Sequence, residues 1–577
     1  MRQLMKENNK IIWFAAAMLV IGGILICRAF YGMDTTDETF YLATARRFYD
    51  GDLLFRDDWN SGQLFGLLML PFYRAYVFFH GNNEGIILYV RILFVILEVF
   101  TSCFLFRVLL RYGQSFGAAF AASCCILVYA RGNIITVSYY SLGFLTFLLS
   151  ILWWMEAEDA NKNKVYLILS GISFAVSVIC MPYMILVFVI FTGTALFCRI
   201  RGDVEKSRTI CWWFLGILLS AALFLVYFRG WIPWKNLFVY VSMVFQDPGL
   251  ENVGLLGQLK DLFSYIVFVF LKYMWFVYAL TFITVFLAGR GYVKEKRIVK
   301  GIPWILLLEF LIQSVYVRSY FEGGVITTFL LFILQLQIFC PKCRIKRLEI
   351  CFVLPGLLFG IAWIMGSNVG ERVINMSFLL VNLWAVCFLW KFCQEYMGQS
   401  AYLMQIPAYI LFAVLFFIRI FDVYRDGSIW ELDYQISQGS MKGIYTEHHR
   451  GIAYEQTLHL IRSDTKQGDT VAVLGCNPWV YLDTAGSCGL YSTWDISEGE
   501  ELLEVYYEMN PEKIPNVLLI APKEISLYES WKFSSHGAGI HEEEPPVLAG
   551  FFKDLVEKEK FVCTEYYGAV MYKRQQE

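Results

Sequence analysis

The sequence IIWFAAAMLVIGGILICRAFYGMDTTDETFYLATARRFYDGD, residues 11–52, decides the fold because it joins an apolar run to an acidic segment. The run at 11–30 contains no acid, and a helix of about 20 apolar residues crosses the hydrocarbon layer of a bilayer. A short basic flank precedes it and no small-residue cleavage site follows, which predicts an uncleaved first membrane helix. Three acids, Asp34, Asp37 and Glu38, then lie within a few residues of the membrane surface.

The composition is that of a polytopic membrane protein. The chain of 577 residues is 58% hydrophobic and 17% charged, and its mean hydropathy is +0.52. Soluble globular proteins contain about 45–50% apolar and about 25% charged residues. A net charge of −2 leaves no basic surface for nucleic acid. Most of the 15 cysteines lie in apolar segments and are expected to act as small hydrophobic side chains.

Apolar runs of spanning length recur along residues 1–420. We expect about thirteen membrane helices and therefore a polytopic α-helical membrane domain. They are placed at 11–30, 86–106, 114–131, 135–154, 165–180, 183–199, 210–228, 262–288, 303–317, 324–340, 349–366, 375–392 and 402–420. The motif CMPYM, within 165–199, is compatible with a kink in one long helix or with a tight turn between two helices.

Alternate loops are rich in Lys and Arg, which places them in the cytoplasm. The loops CRIRGDVEKSR and GRGYVKEKRIVK belong to this set, whereas the loops between them carry about one basic residue each. The N-terminus is then cytoplasmic, and residues 31–85 lie outside a multi-pass plasma (cytoplasmic) membrane. With an odd number of crossings, the region from 421 onward also lies outside.

Residues 421–577 differ in composition and predict a small extracytoplasmic α/β domain. The runs DTVAVLGCN, NVLLIAP and FVCTEYYGAVMYKR are β-branched and apolar, and turn residues bound them, as in strands. The segment HRGIAYEQTLHLIRSDTK has helical spacing. A single glycine follows the first strand, so no G-x-G-x-x-G dinucleotide motif is formed there.

The first outer loop predicts two helices that lie along the membrane. In DETFYLATARRFYDGD, Thr36 or Asp37 can cap a helix and Gly51 can end it. Apolar residues share one face of this helix, and Arg46 and Arg47 lie away from it, as expected for a surface-lying helix. A second such helix is expected near 62–78. On this pattern alone, the acids at the start of the first helix can serve as helix caps and nothing else.

The order of these features resembles the GT-C class of membrane glycosyltransferases, in particular the branch of protein O-mannosyltransferases and lipid A aminoarabinose transferases. In that class an acidic motif directly follows the first helix, often with a Tyr three residues past its Glu. Here the motif is Asp37-Glu38 with Tyr41, and Arg91 in YVRIL begins the second crossing. The resemblance covers the topology of about 420 residues, although the matching motif is short.

The resemblance implies an enzyme that moves a sugar from a polyprenyl-phosphate carrier to a glycan, protein or lipid acceptor at the outer face. Asp37 would be the general base, with Glu38 the next candidate. Asp34, Tyr41 and Asp58 would contact substrate. An arginine would hold the carrier phosphate; the candidates are Arg91, Arg318, Arg372 and, more weakly, Arg131. One base suffices for direct displacement with inversion, whereas a retaining reaction needs a second, nucleophilic carboxylate, and both remain open.

Acids in the loops are compatible with a bound divalent cation such as Mg²⁺ or Mn²⁺. Asp247 and Glu251 in QDPGLEN offer hard oxygen ligands, although solvated loop acids are the commoner case. Two other functions are compatible with the sequence. A transporter would use acids inside the membrane, for which Glu98 and Glu309 are available. A non-catalytic protein of envelope-polymer assembly would need neither.

Overall fold

In the computed structural model, the chain is described continuously over 2–159, 163–202, 204–246, 341–366, 374–397, 402–494, 501–525 and 550–575, with isolated residues elsewhere. The predicted crossings at 262–288, 303–317 and 324–340 lie outside these continuous ranges. The structure is mostly helical and includes a small C-terminal sheet.

The described part of residues 1–420 is built from helices, and most of the chain between residues 247 and 340 lies outside the described residues. These helices are α1 (Arg2–Arg28), α2 (Asp37–Asp50), α3 (Gln63–His80), α4 (Ile86–Arg111), α5 (Phe116–Leu127), α6 (Tyr139–Asp159), α7 (Lys164–Cys180), α8 (Ile185–Ile200), α9 (Val204–Phe228), α10 (Leu237–Val244), α11 (Leu354–Gly366), α12 (Ile374–Met397) and α13 (Tyr402–Phe421).

Six helical stretches of the described residues are long and apolar enough to cross a membrane. They are Ile11–Arg28, Ile86–Arg111, Tyr139–Glu158, Pro182–Ile200, Ser207–Trp231 and Lys346–Ile364. Phe116–Leu127, Lys164–Cys180 and Tyr409–Phe421 are apolar but shorter. These stretches indicate a membrane protein, and the count of about thirteen crossings stays a prediction.

The CMPYM motif separates two helices. The first ends at Cys180, and the 3-10 turn Pro182–Met184 leads into α8. Proline at the start of this turn has no N–H to donate, so it begins a new helical segment more readily than it continues the old one.

Both helices predicted in the first outer loop are present. The first, α2, ends at Gly51, whose φ of 111° is left-handed and whose N–H donates to the Arg47 carbonyl. The expected cap at Thr36 or Asp37 is wrong. Neither side chain caps α2; the Asp34 carboxylate accepts hydrogen bonds from the Thr36 and Glu38 N–H groups, each at 3.0 Å. A residue further upstream can cap because the chain turns back at Thr35 and Thr36.

The expectation that α2 lies on the membrane with its arginines turned outward is also wrong for Arg47. Most of α2 is buried, and Arg47 is only 2% exposed. The helix packs against α3 so closely that a Cβ at Gly66 would stand 2.3 Å from Thr44 Cγ2. The same threonine also contacts the C-terminal region, since Thr44 Oγ1 lies 3.2 Å from Thr493 Oγ1.

The C-terminal region forms the predicted α/β unit. Its elements are β1 (Tyr434–Gln435), β2 (Tyr445–Thr446), α14 (His448–Asp464), β3 (Thr470–Leu474), α15 (Trp479–Asp483), β4 (Ser487–Cys488), α16 (Glu501–Met509), β5 (Val517–Ile520), α17 (Gly550–Lys558), β6 (Phe561–Tyr566) and β7 (Ala569–Arg574). Among the described strands, five form one sheet of order β4-β3-β5-β7-β6. The first three are mutually parallel, and the β6–β7 hairpin adds antiparallel to β5.

A buried ion network joins the outer loop to this sheet. Arg47 Nε donates to Asp52 Oδ2 at 2.8 Å, and Lys513, which precedes β5, pairs with the other oxygen of Asp52. Asp58 is fully buried, with Oδ2 3.7 Å from Arg47 Nη1. Buried charges require such pairing, since a single uncompensated charge in this network would cost about 3–5 kcal/mol. The loop and the C-terminal region are therefore held together by charge as well as by packing.

Candidate functional site

Asp37 stands at the start of α2 with its carboxylate partly exposed. Tyr424 Oη donates to Asp37 Oδ2 at 2.6 Å, and Arg425 Nη1 lies 3.0 Å from the same oxygen. The side chains of Asp37 and Arg425 are 19% and 23% exposed. No described residue donates to Asp37 Oδ1. Two partners therefore fix one oxygen, and the other accepts no hydrogen bond from the described residues.

The backbone at Arg425 is strained, and strained residues cluster at functional sites. Its φ of 53° is left-handed, which costs a residue with a side chain about 1–3 kcal/mol. The strained residue follows α13 closely and turns the chain back toward the first outer loop. Its main-chain carbonyl accepts a hydrogen bond from Arg450 at 2.6 Å, so α14 holds the turn in place.

Asp34 is buried near Asp37 and accepts hydrogen bonds from main-chain N–H groups. Besides the two N–H groups, its Oδ1 accepts from the Thr36 hydroxyl at 2.7 Å. Burial raises the pKa of Asp34, and the nearby negative charge of Asp37 raises it further. Asp34 was predicted to bind substrate; the structure places it at 3% exposure with both oxygens engaged.

Glu38 and Arg91 form a buried ion pair. Arg91 Nε lies 3.1 and 3.0 Å from the two Glu38 oxygens, and Arg91 also donates to the carbonyls of Ala29, at 2.7 Å, and Gly32, at 2.6 Å. Burial raises the pKa of Glu38 to about 7, while the charge of Arg91 opposes that rise. Both side chains are less than 5% exposed. This arrangement fixes the end of α1 to the start of α2 and α4.

Arg131 is an arginine that contacts an aromatic ring and forms no ion pair with an acid among the described residues. It begins the 3-10 turn Arg131–Asn133 between α5 and α6, and its guanidinium lies 3.9 Å from the centre of the Tyr140 ring. No described carboxylate forms an ion pair with it. A cation is attracted to the face of an aromatic ring without its charge being neutralised. Arg131 is therefore suited to bind an anion.

Tyr41 is buried among aromatic rings and is close enough to Asp37 and Arg131 for both charges to act on its pKa. Its ring packs edge-on against Phe65, at 5.3 Å, and Tyr139, at 5.7 Å. Burial raises the pKa of Tyr41 well above its usual value; the Asp37 charge raises it further and the Arg131 charge lowers it. Tyr41 was predicted to bind substrate and is 2% exposed, within the wall of aromatic rings. Asp37 and Arg131 thus lie near the same tyrosine.

An aromatic stack continues this wall into the membrane half. Tyr140 stacks on Trp363 at 5.3 Å, and Tyr183 lies 6.5 Å from the same indole. The Tyr183 hydroxyl and the Trp363 N–H are buried and have no hydrogen-bond partner among the residues that the structure describes. Ligand pockets are lined predominantly by hydrophobic and aromatic side chains with a few polar groups among them.

The remaining predicted site residues are placed as follows. Asp58 belongs to the buried Arg47 network, away from Tyr424. Arg318, Arg372, Asp247 and Glu251 lie outside the described residues. Among the residues that the structure describes, no group of three or more His, Cys, Asp or Glu side chains is arranged to hold a metal ion.

The sequence interpretation missed Tyr424 and Arg425. They lie 387 residues or more from Asp37 along the chain, and no spacing rule connects such distant segments. One signal was available: the stretch VYRDG follows the last predicted crossing directly. Residues at that position face the same side of the membrane as the first outer loop whenever the number of crossings between them is even.

Comparison with known proteins assigns no family. No protein-family model matches the chain, and no curated protein sequence matches it. The site contains a partly exposed carboxylate held by two partners, an arginine without an acidic partner among the described residues, and aromatic rings beside them.

Proposed function

We propose that the protein is an integral membrane glycosyltransferase that moves a sugar from a polyprenyl-phosphate carrier to an acceptor at the outer face of the plasma membrane. The observation that carries the proposal is the Asp37 carboxylate, partly exposed and held through one oxygen by Tyr424 and Arg425. The resemblance of the Asp37-Glu38 segment to GT-C enzymes adds to it. The N-terminus is then cytoplasmic and the C-terminal region extracytoplasmic.

Asp37 is the general base of this reaction. The acceptor hydroxyl gives its proton to Asp37 Oδ1 while its oxygen attacks the anomeric carbon of the sugar. The bond from that carbon to the carrier phosphate breaks, and the polyprenyl phosphate leaves with the electron pair. Tyr424 and Arg425 fix Oδ2 and thereby aim Oδ1, since a base acts only within hydrogen-bond reach of its proton.

Arg131 binds the phosphate, whose charge rises as the bond breaks. A guanidinium matches phosphate oxygens with a planar fork of donors. Arg91, predicted for this role, already donates to Glu38 and to main-chain carbonyls. The ring of Tyr140, at 3.9 Å, keeps the Arg131 guanidinium in place without neutralising its charge.

A single displacement, with inversion at the anomeric carbon, is the better supported course. A retaining reaction needs a second carboxylate as nucleophile. The two acids nearest in sequence to Asp37 are engaged: Asp34 with main-chain N–H groups and Glu38 with Arg91. Neither carboxylate is left free to attack a sugar.

The test is sugar transfer by the purified full-length protein in proteoliposomes. Radiolabelled polyprenyl-phosphate sugars are supplied with glycan, peptide and lipid acceptors, and product and released polyprenyl phosphate are measured. We expect Asp37→Asn to lower kcat by about 10²–10⁴-fold, the usual contribution of a general base. The control is Asp50→Asn, which changes an acid at the far end of the same helix that pairs with Arg46 near the surface.

Two outcomes contradict the proposal in different ways. Full activity of Asp37→Asn removes Asp37 from the chemistry. No transfer by the wild-type protein with any of these donors removes the glycosyltransferase function, and solute uptake by the same proteoliposomes would then favour a membrane transporter. Transport is the second candidate because Glu98 and Arg419 form a buried ion pair, at 3.3 Å, in the membrane half.

A further inference from the structure

We propose that Asn133 is a positioning residue that fixes Arg131 relative to Asp37, and this inference rests on the proposed glycosyl transfer. Asn133 ends the 3-10 turn that begins at Arg131, and its side chain reaches the end of α13. It therefore connects the turn that carries the phosphate-binding cation to the segment that orients the base.

The Asn133 amide is fully used. Its Oδ1 accepts from Arg419 Nη1 at 2.7 Å, and its Nδ2 donates to the Arg419 carbonyl, at 3.2 Å, and to the Asp422 carbonyl. The residue is 1% exposed. Its φ of 57° lies in the left-handed region, which Asn tolerates better than most residues. A buried amide with these three bonds has one orientation, because any rotation would leave buried polar atoms unpaired.

The Asn133 amide joins the turn that carries Arg131 to the segment that carries Tyr424. Arg131 lies two residues before Asn133, and Tyr424 lies two residues after Asp422. The intervening Gly132 also approaches Tyr424: a Cβ on Gly132 would stand 2.9 Å from the Tyr424 ring. The backbone of the turn thus touches the ring whose hydroxyl holds Asp37.

The helix end that Asn133 binds is itself fixed. Arg419 Nη2 lies 3.3 Å from each oxygen of Glu98 on α4, and Arg28 at the end of α1 donates to the Asp422 carbonyl at 2.9 Å. Three helices therefore define where the Asn133 amide can sit. Glu98 and Arg419 then act as anchors of the site rather than as members of a transport pathway.

Loss of the Asn133 amide should change the placement of Arg131 relative to Asp37 more than it changes the affinity for the carrier. Arg131 keeps its charge and its contact with Tyr140, so the carrier phosphate still binds. The distance from the phosphate to Oδ1 of Asp37 is no longer set, and a misplacement of about 1 Å can cost about 10²-fold in rate. The expected signature is a fall in kcat with little change in KM for the carrier.

The test compares three variants of the full-length protein in proteoliposomes. Asn133→Gly keeps the left-handed backbone and removes the amide; we expect kcat to fall by about 10²-fold with KM changed less than about threefold. Asn133→Asp keeps the acceptor for Arg419 and loses the two donors, so its kcat should lie between those of wild type and Asn133→Gly.

The control is Asn510→Ala. Asn510 is also fully buried, accepts from an arginine (Arg56 Nε, 3.1 Å) and donates to two carbonyls. Its loss destabilises the protein without touching Tyr424 or Arg131, so kcat per folded molecule should stay unchanged. The folded fraction is measured by size-exclusion chromatography, and binding of polyprenyl phosphate by native mass spectrometry.

The outcomes separate this inference from the proposed function. Wild-type kcat and KM in Asn133→Gly overturn the positioning role while transfer stands, as does a loss that Asn510→Ala reproduces per folded molecule. If the wild type binds polyprenyl phosphate without transferring sugar, the proposed function fails, and the positioning of Arg131 against a general base fails with it. A wild type that neither transfers nor binds overturns both.

Discussion

The substitution Arg91→Met tests whether Arg91 stabilises the fold or binds the carrier phosphate. In the folded protein Arg91 contacts both oxygens of Glu38 and the carbonyls of Ala29 and Gly32. Its loss leaves a buried carboxylate without its countercharge, and breaking a buried pair in this way costs about 3–5 kcal/mol. We therefore expect Arg91→Met to lower the free energy of unfolding by about that amount at alkaline pH.

The stability lost in Arg91→Met depends on pH, and the direction of this dependence follows from the pKa of Glu38. Burial raises the pKa of folded Glu38 to about 7, above its unfolded value of 4.5. The stability that this group contributes is fully present below the unfolded pKa and is lost as pH rises through about 7. The charge of Arg91 lowers the pKa of Glu38, so without Arg91 the loss continues to higher pH. The difference in free energy of unfolding between wild type and Arg91→Met should then widen by up to about 1.4 kcal/mol per pH unit above 7.

The assay is unfolding in detergent followed by tryptophan fluorescence at pH 6 and pH 8.5, for which the 17 tryptophans give ample signal. Glu38→Gln combined with Arg91→Met removes both charges and should recover much of the loss. The matched control is Lys442→Met, which breaks an exposed pair with Glu84 and should cost about 0–1 kcal/mol. An Arg91→Met protein as stable as wild type, with a tenfold higher KM for the carrier, would refute the structural role.

Three further changes test the site and its support. Tyr424→Phe removes the hydrogen bond to Asp37 and should lower kcat about tenfold or more, since such bonds to charged groups contribute about 1.5–3 kcal/mol; steady-state transfer measures it, and an unchanged kcat contradicts the orienting role. Arg131→Met should raise KM for the carrier at least about tenfold while Arg131→Lys retains part of the affinity; equal KM values in all three proteins would remove Arg131 from phosphate binding. Lys513→Met leaves Asp52 buried with Arg47 alone and should lower stability by about 3 kcal/mol; an unshifted melting temperature argues against the ion network.

The local structure of the first outer loop could be predicted from sequence because its signals are local. Helical spacing, early acids and Gly51 define α2, and Gly81, whose φ is 76°, ends α3. The cap could not be predicted correctly, since Asp34 reaches α2 only after a turn whose geometry the sequence does not show. The burial of Arg47 was hidden for another reason: its partners Asp52 and Lys513 come from separate segments.

In the C-terminal region the strands could be predicted from their β-branched composition, whereas their order could not. The parallel pairing of β3 with β5, and the place of the β6–β7 hairpin, depend on contacts between segments far apart in sequence. The same limit applies to the site. The acidic motif pointed to Asp37, but Tyr424, Arg425 and the partners of Arg91 emerged only from the folded chain.

A structure of the full-length protein with a polyprenyl-phosphate sugar bound is the most direct test of the roles proposed for Asp37 and Arg131. We expect the phosphate to lie against the Arg131 guanidinium and the anomeric carbon to lie on the side of Asp37 Oδ1, with Tyr424 still donating to Oδ2. A carrier phosphate bound away from Arg131, with its sugar out of reach of Asp37, would contradict these roles.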